Sequence, residues 1–291
     1  MIVYLNGQFI PIEDAKISVL DRGFIFGDAV YEVWRGVRGH LFEPDLHLAR
    51  LASGLKDIHI APPPESKRDG LVAISDRLMR ENSFSSESSL FLEITRGVAP
   101  RMHQYPKPAV APTVFIMAAA FQPPEELRAR GGSVICINDI RWNRCNVKTT
   151  QLLPNVMAKQ EAAEHDALDA IFVHDGMLTE TSHANVMAVI GGAVWTHPIN
   201  GHVLPGVTRD VVLGLAKSMG ITVHEKPIPK ADLGKATEVF LTGTLSDVMP
   251  IVKVDGKQVG DGRPGPIALK LFAALRARLD AFGSGSPSTR S

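Results

Sequence analysis

The sequence predicts a mixed α/β fold, with α+β character, divided into two domains. Strand-like and helix-like apolar runs alternate along the whole chain. A polar, proline-marked stretch interrupts them at Phe121-Gln122-Pro123-Pro124-Glu125-Glu126 and ends at Gly131-Gly132. At 291 residues and 45% hydrophobic residues, the chain has enough apolar surface for two cores. These observations place a small N-terminal α/β domain at 1–120, a linker at 121–131, a larger C-terminal domain at 132–282 and a flexible Gly/Ser-rich tail at 283–291.

The elements follow in order. Val3 to Phe9 reads as a hairpin about Asn6-Gly7, and Ala29 to Val37 as a strand ending in a turn at Arg38-Gly39. A helix opens at Pro44-Asp45, with Leu46, Leu48, Ala49, Leu51, Ala52 and Leu55 as its apolar residues. A second helix covers Ser66 to Glu81, and Ser89 to Arg96 and Thr113 to Phe121 read as buried strands. Beyond the linker come a strand at Val134 to Ile140, a helix at Pro154 to His165 and a strand at Ala170 to His174. Asp175-Gly176 and Gly191-Gly192 are hairpin signals. A helix from Thr208 to Met219 stops at Gly220, strands follow at Thr222 to Glu225, Glu238 to Thr242 and Pro250 to Val254, and a last helix runs from Pro266 to Ala281.

Composition narrows the function classes. Acidic and basic residues balance at 31 each, so no global field points to nucleic acid or an anionic membrane. No apolar run reaches the roughly 20 residues that span a bilayer. The start, Met1-Ile2-Val3-Tyr4-Leu5, lacks a basic n-region and is not read as a signal peptide. Two cysteines without CxxC spacing argue against a disulfide framework or a cysteine zinc site, and a cytoplasmic location is expected. The ten histidines form no HxxxH or HxH cluster, so no metal is expected.

Several segments carry possible chemistry. Lys148 closes Arg141-Trp142-Asn143-Arg144-Cys145-Asn146-Val147-Lys148, between a buried strand and an apolar helix. A lone lysine is ordinarily a solvated one; burial or nearby cations, with Arg141 and Arg144 as candidates, would make its amine nucleophilic toward an aldehyde. Glu180, just after the Asp175-Gly176 turn, is a surface carboxylate or a partner for a ring nitrogen. Gly201 to Arg209 leads through Gly206 into a helix, and Thr242-Gly243-Thr244-Leu245-Ser246 ends a buried strand. Two such turns in one domain can grip one phosphate from two sides. Neither is a P-loop or a dinucleotide fingerprint. Arg101-Met102-His103 lies in a proline-rich loop, where a solvated pair is the commoner reading and a carboxylate site the alternative.

Together these segments resemble the fold-type-IV pyridoxal-phosphate-dependent aminotransferases, in particular their D-amino-acid aminotransferase branch. The resemblance runs from Leu20-Asp21-Arg22-Gly23-Phe24-Ile25-Phe26-Gly27-Asp28-Ala29-Val30-Tyr31-Glu32-Val33 through His47-Leu48-Ala49-Arg50-Leu51, Ile94-Thr95-Arg96-Gly97 and Pro100-Arg101-Met102-His103-Gln104. It continues in Asp139-Ile140-Arg141-Trp142, Asn146-Val147-Lys148, Ala158-Lys159-Gln160-Glu161-Ala162, Thr179-Glu180, Gly206-Val207-Thr208-Arg209 and Thr242-Gly243-Thr244. It implies pyridoxal 5'-phosphate as cofactor, attached to Lys148, with Lys148 also moving the proton of each half-reaction. It further implies that Glu180 pairs with the pyridine nitrogen, and that Arg50, the backbone of Val207 and Thr208, and Thr244 hold the phosphate. Tyr31 would face the substrate, and Arg101 and His103 would bind its α-carboxylate. With the re-face protonation of the family, the substrates implied are D-amino acids such as D-alanine and D-glutamate, exchanged with pyruvate and 2-oxoglutarate by a homodimer.

Other reactions on the same scaffold are branched-chain L-aminotransferase, (R)-selective amine transaminase and aminodeoxychorismate lyase, but the first two generally lack the Arg101/His103 pair. A non-enzymatic scaffold and a metal hydrolase are the readings outside the family. The chain departs from the D-branch pattern at Thr181-Ser182-His183-Ala184, where a glycine and serines are usual, and at Gly243, where serine or threonine is common. Trp34 and Arg35, just beyond Tyr31, are expected to reshape the pocket.

Overall fold

In the computed structural model, which describes residues 1–283, the chain sorts into two compact units. The first holds Met1–Gln122, the strip Val147–Gln151 and, of the described residues, 279–283; the second holds Pro123–Asn146 and Leu152–Arg278. The flexible tail expected at 283–291 lies, from residue 284 on, outside the described residues.

In the first unit Asn6-Gly7, both at positive φ, turn β1 (Ile2–Leu5) back into β2 (Gln8–Pro11). A short helix α1 (Arg22–Phe26), capped by the Asp21 carboxylate on the Gly23 N–H, leads into β3 (Ala29–Val37) and the two-residue β4 (His40–Leu41). Helices α2 (Pro44–Asp57) and α3 (Arg68–Glu81) precede β5 (Glu87–Thr95) and β6 (Thr113–Ala120). The strands make one antiparallel sheet in the order β2-β1-β6-β5-β3-β4. Alternation along β3 sends Val30, Glu32 and Trp34 to one face and Tyr31 to the other. On the first face Val30 and Trp34 join Leu51 and Leu55 of α2 and Leu71 and Leu78 of α3 in the core.

Because β4 covers only Gly36 and Val37, the opening half of β3 keeps a free backbone edge. Val147–Gln151 fills it: the Tyr31 N–H donates to the Lys148 carbonyl at 3.0 Å, and Thr149 bridges Val30 in antiparallel sense. Val147 is buried in the same core as Val30.

The second unit begins with α4 (Glu125–Arg130), inside the stretch read from sequence as a linker. Its order has a physical cause, since Arg128 is buried and its guanidinium reaches Asp247 at 3.1 Å. Next come β7 (Gly132–Asn138), α5 (Leu153–Glu164), β8 (Asp169–His174), β9 (Met177–Thr181), β10 (Asn185–Ile190) and β11 (Ala193–Thr196). Then follow α6 (Val207–Ser218), β12 (Val223–Glu225), β13 (Ile228–Pro229), β14 (Glu238–Gly243), β15 (Asp247–Val254), β16 (Lys257–Gln258) and α7 (Pro266–Gly283).

The second sheet runs β12-β11-β10-β14-β15-β7-β8-β9-β13, parallel at β15/β7, β7/β8 and β11/β12. A further pairing of Glu180 on β9 with Asn185 on β10 joins strands far apart in that order, so β10, β14, β15, β7, β8 and β9 close into a ring. Inside lie Val134, Ile171, Leu178, Val186, Leu241 and Met249, all nearly inaccessible.

Candidate active site

In the first unit the Lys148 amine lies 4.0 Å from the centre of the Tyr31 ring. The arrangement follows from the ladder: the edge pairing of Tyr31 with Lys148 sets the two side chains beside each other. Behind the strand, α2 presents His47 and Arg50, three residues apart and so on one helix face, to Glu32. Arg50 grips Glu32 with Nε and Nη2, each at 2.7 Å, and His47 Nδ1 lies 2.9 Å from Oε2. Burial raises the Glu32 carboxyl, but Arg50 and His47 outweigh it and hold it at about 2. Burial pushes the His47 imidazole below its ordinary value; Glu32 opposes this, while the Arg50 and Lys148 charges add to it. The sequence singles out Arg50 alone; Glu32 and His47 stand in the same motifs without an assigned part.

Trp34 and Arg35, expected to reshape the pocket, are both buried. Trp34 points to the helix face and joins the core, 5.6 Å from the His47 ring. Arg35 is equally buried, pairing with Glu87 and packing 4.6 Å from the Phe121 ring.

The Arg101–His103 loop is shaped by Arg22, which donates to the carbonyls of Met102 at 2.6 Å and Gln104 at 3.4 Å while its Nε holds Asp28 at 2.8 Å. Arg101 and His103 are exposed and both lie 5.5 Å from the Phe26 ring. They therefore share one aromatic platform. A planar guanidinium and an imidazole so placed suit a carboxylate.

In the second unit the ladder sets Glu180, Asn185 and Thr242 side by side across β9, β10 and β14. Glu180 accepts from Arg141 Nη1 at 2.5 Å, from the Leu204 N–H at 3.0 Å and from Asn185 Nδ2 at 3.2 Å. Arg141 is itself doubly bound by Asp139, at 2.9 and 2.8 Å, and stacks 4.2 Å from the Phe172 ring. Burial favours the neutral form of both groups, yet their pairing wins: Asp139 titrates below its ordinary range and Arg141 above. Arg141 is thus committed to Asp139 and Glu180, not to making a lysine nucleophilic, and Arg144 is exposed. The three donors orient Glu180 as an acceptor.

Helix α6 opens at Gly206 with no side-chain cap, leaving the first N–H groups of Val207 and Thr208 without a capping side chain. A Cβ on Gly206 would stand 2.0 Å from Asn185 Oδ1, so only glycine lets the helix start approach this closely. Across the ladder from Asn185, Thr242 Oγ1 is buried without a hydrogen-bond partner among the described residues, as is Ser246 Oγ in the next turn. Buried hydroxyls are seldom left unpaired. Uncapped helix N–H groups and an orphaned hydroxyl beside Asn185, with a second in the following turn, fit a phosphate. Thr244 lies in the same turn, half-buried.

His183 turns toward β8, with Nδ1 3.0 Å from the fully buried Asp169. Burial raises Asp169, but His183 and Ser182 hold it at about 2. No group of three or more His, Cys, Asp or Glu able to hold a metal occurs among the described residues, and no described helix is long and apolar enough to cross a membrane.

Residues 29–254 match the amino-transferase class IV family. The D-alanine aminotransferase of Staphylococcus haemolyticus is 35% identical over 282 residues, covering 97% of this chain and 99% of that one. The D-alanine aminotransferase of Bacillus licheniformis is 37% identical, covering 95% and 96%. Among solved structures, the Escherichia coli branched-chain amino acid aminotransferase superposes with a TM-score of 0.87 at 25% identity, over 95% of this chain and 93% of that one. The T.th. branched-chain amino acid aminotransferase with pyridoxamine 5'-phosphate gives 0.87 at 25% identity, over 99% and 95%. With the family matched over most of its length and relatives aligned nearly end to end, the chain belongs to the class IV aminotransferases, the fold-type-IV enzymes.

Proposed function

We propose that this protein is a pyridoxal-phosphate-dependent transaminase that moves the amino group between a D-amino acid, of the D-alanine or D-glutamate type, and a 2-oxo acid such as pyruvate or 2-oxoglutarate. The observation that carries the D-branch reading is the Arg101–His103 platform on Phe26, an exposed pair suited to an α-carboxylate, in a chain whose curated relatives are D-alanine aminotransferases. The orphaned hydroxyls and uncapped α6 support a phosphate-bearing cofactor.

When bound, pyridoxal phosphate supplies an electron sink for the carbon that loses its proton. The chain supplies the rest. Lys148 would hold the cofactor covalently through its amine and, once that amine is free, its Nζ would take and carry the α-proton of the substrate. Tyr31, whose ring flanks Nζ, bounds the space the substrate enters. Glu180, oriented by Arg141, Asn185 and the Leu204 N–H, would hold a proton on the pyridine nitrogen. Arg50, the Val207 and Thr208 N–H groups and Thr244 would hold the phosphate, while Arg101 and His103 would fix the carboxylate. With the cofactor in place, water would supply the oxygen of the released 2-oxo acid while the cofactor would keep the amino group, and a second 2-oxo acid would take that group with return of the water.

A homodimer is part of this proposal, as is a cytoplasmic setting, which suits the free cysteines Cys136 and Cys145. The test is borohydride reduction of the holoprotein followed by peptide mapping. Label on the peptide holding Lys148 is the expected result, together with loss of visible absorbance and transamination in Lys148→Ala. Label on another lysine, or none, defeats the reading.

A further inference from the structure

Resting on pyridoxal phosphate as the cofactor, we infer that Ser246 is a phosphate-binding residue, its hydroxyl standing in for the side chain that Gly243 lacks. Gly243 pairs with Asp247 at the end of the β14/β15 ladder, so Thr244, Leu245 and Ser246 form the turn between the strands. A Cβ built on Gly243 would lie 2.7 Å from Ser246 Oγ, 3.4 Å from Ala184 Cβ and 3.6 Å from the His183 carbonyl oxygen. That distance to Oγ is shorter than van der Waals contact, so a side chain at 243 and the present Ser246 hydroxyl compete for one space. With glycine at 243, the hydroxyl arrives from three residues further along.

Three features mark that hydroxyl as a ligand group. First, Ser246 Oγ is closed to solvent and has no hydrogen-bond partner among the described residues. An oxygen-rich ligand at the turn explains this. Second, the turn is anchored: Asp247 is buried and bound by buried Arg128 at 3.1 Å, with Asp247 at φ 56 setting the bend. Third, it borders the uncapped start of α6. Gly243 packs against Ala184 and Gly206 against Asn185, consecutive residues at the opening of β10. The Ser246 turn and the start of α6 thus meet adjacent residues at one strand end, where a phosphate at the rim would reach both.

The experiment measures equilibrium binding to the full chain stripped of aldehyde, with pyridoxal phosphate and phosphate-free pyridoxal as separate probes. Ser246→Ala is expected to weaken pyridoxal phosphate about tenfold or more, as loss of a hydrogen bond to a charged group does, and to leave pyridoxal affinity unchanged. The ³¹P resonance of the bound phosphate should shift in the same variant. Gly243→Ser combined with Ser246→Ala restores the hydroxyl without the clash and should recover most of the affinity. Equal affinity of wild type and Ser246→Ala for pyridoxal phosphate would overturn the assignment; so would equal losses for both probes, which denote a purely structural role. If the wild-type chain forms no adduct with either aldehyde, the cofactor reading itself fails, and this inference with it.

Discussion

Arg101 and Glu32 show how single residues acquire different duties from the same charge chemistry. Arg101 is exposed and rests on Phe26, so its guanidinium is available to a ligand. Replacing it by alanine removes the carboxylate fork: KM for D-alanine should rise tenfold or more, with thermal stability nearly unchanged. Steady-state kinetics showing an unaltered KM would move the carboxylate site elsewhere. Glu32 is the opposite case, inaccessible and saturated by Arg50 and His47. Its carboxyl falls from 4.5 to about 2 on folding, so it binds fewer protons in the folded state than in the unfolded one. A depressed carboxyl stabilises the fold above its unfolded pKa, and that stabilisation is lost as pH falls through the folded value. The gap in unfolding free energy from urea titration between wild type and Glu32→Gln should therefore be large at pH 6, roughly 3 kcal/mol, and close as pH drops from about 4.5 toward 2. A gap that stays constant over that range would contradict the pairing.

At the scale of elements, the candidate residues of each unit depend on edges and ends. The short β4 leaves half of β3 open to the Lys148 strip, and an uncapped α6 presents N–H groups beside Asn185. Gly206 is the hinge point of the second arrangement. Gly206→Ala would drive a methyl into Asn185 Oδ1 and with it disturb the amide that holds Glu180 and the Leu204 carbonyl. The expected cost is about 1–3 kcal/mol of stability together with weaker cofactor retention on dialysis, followed by absorbance. Unchanged melting and retention would show that α6 can retreat freely. Most of these elements are legible in the sequence, because hairpin glycines, helix stops and apolar periodicity are local signals; β3 runs from Ala29 to Val37 in both sequence reading and structure. The α4 helix is not legible. Prolines and glutamates surround it, and Arg128 is buried against partners distant in sequence, Asp247 and the Phe272 ring.

For the whole molecule, the reaction follows from the ensemble and not from any one motif. A donor panel with pyruvate and 2-oxoglutarate as acceptors should show D-alanine and D-glutamate as substrates, and L-leucine, (R)-1-phenylethylamine and aminodeoxychorismate as poor ones. L-leucine as the best donor would instead align the chain with its branched-chain structural neighbours. Family, fold class and the candidates Lys148, Glu180 and Arg101 could be read from the order of motifs, since each motif is a run of adjacent residues that keeps its signature in one dimension. The Asp139–Arg141–Glu180 network, the His47–Arg50 grip on Glu32, the burial of Trp34 and Arg35 and the nearness of Gly243 to Ser246 Oγ were decided only in the tertiary structure. The reason is physical. Which side chain a charge meets, and which space a missing Cβ leaves open, depend on strand register and helix placement, and local propensity carries no record of either.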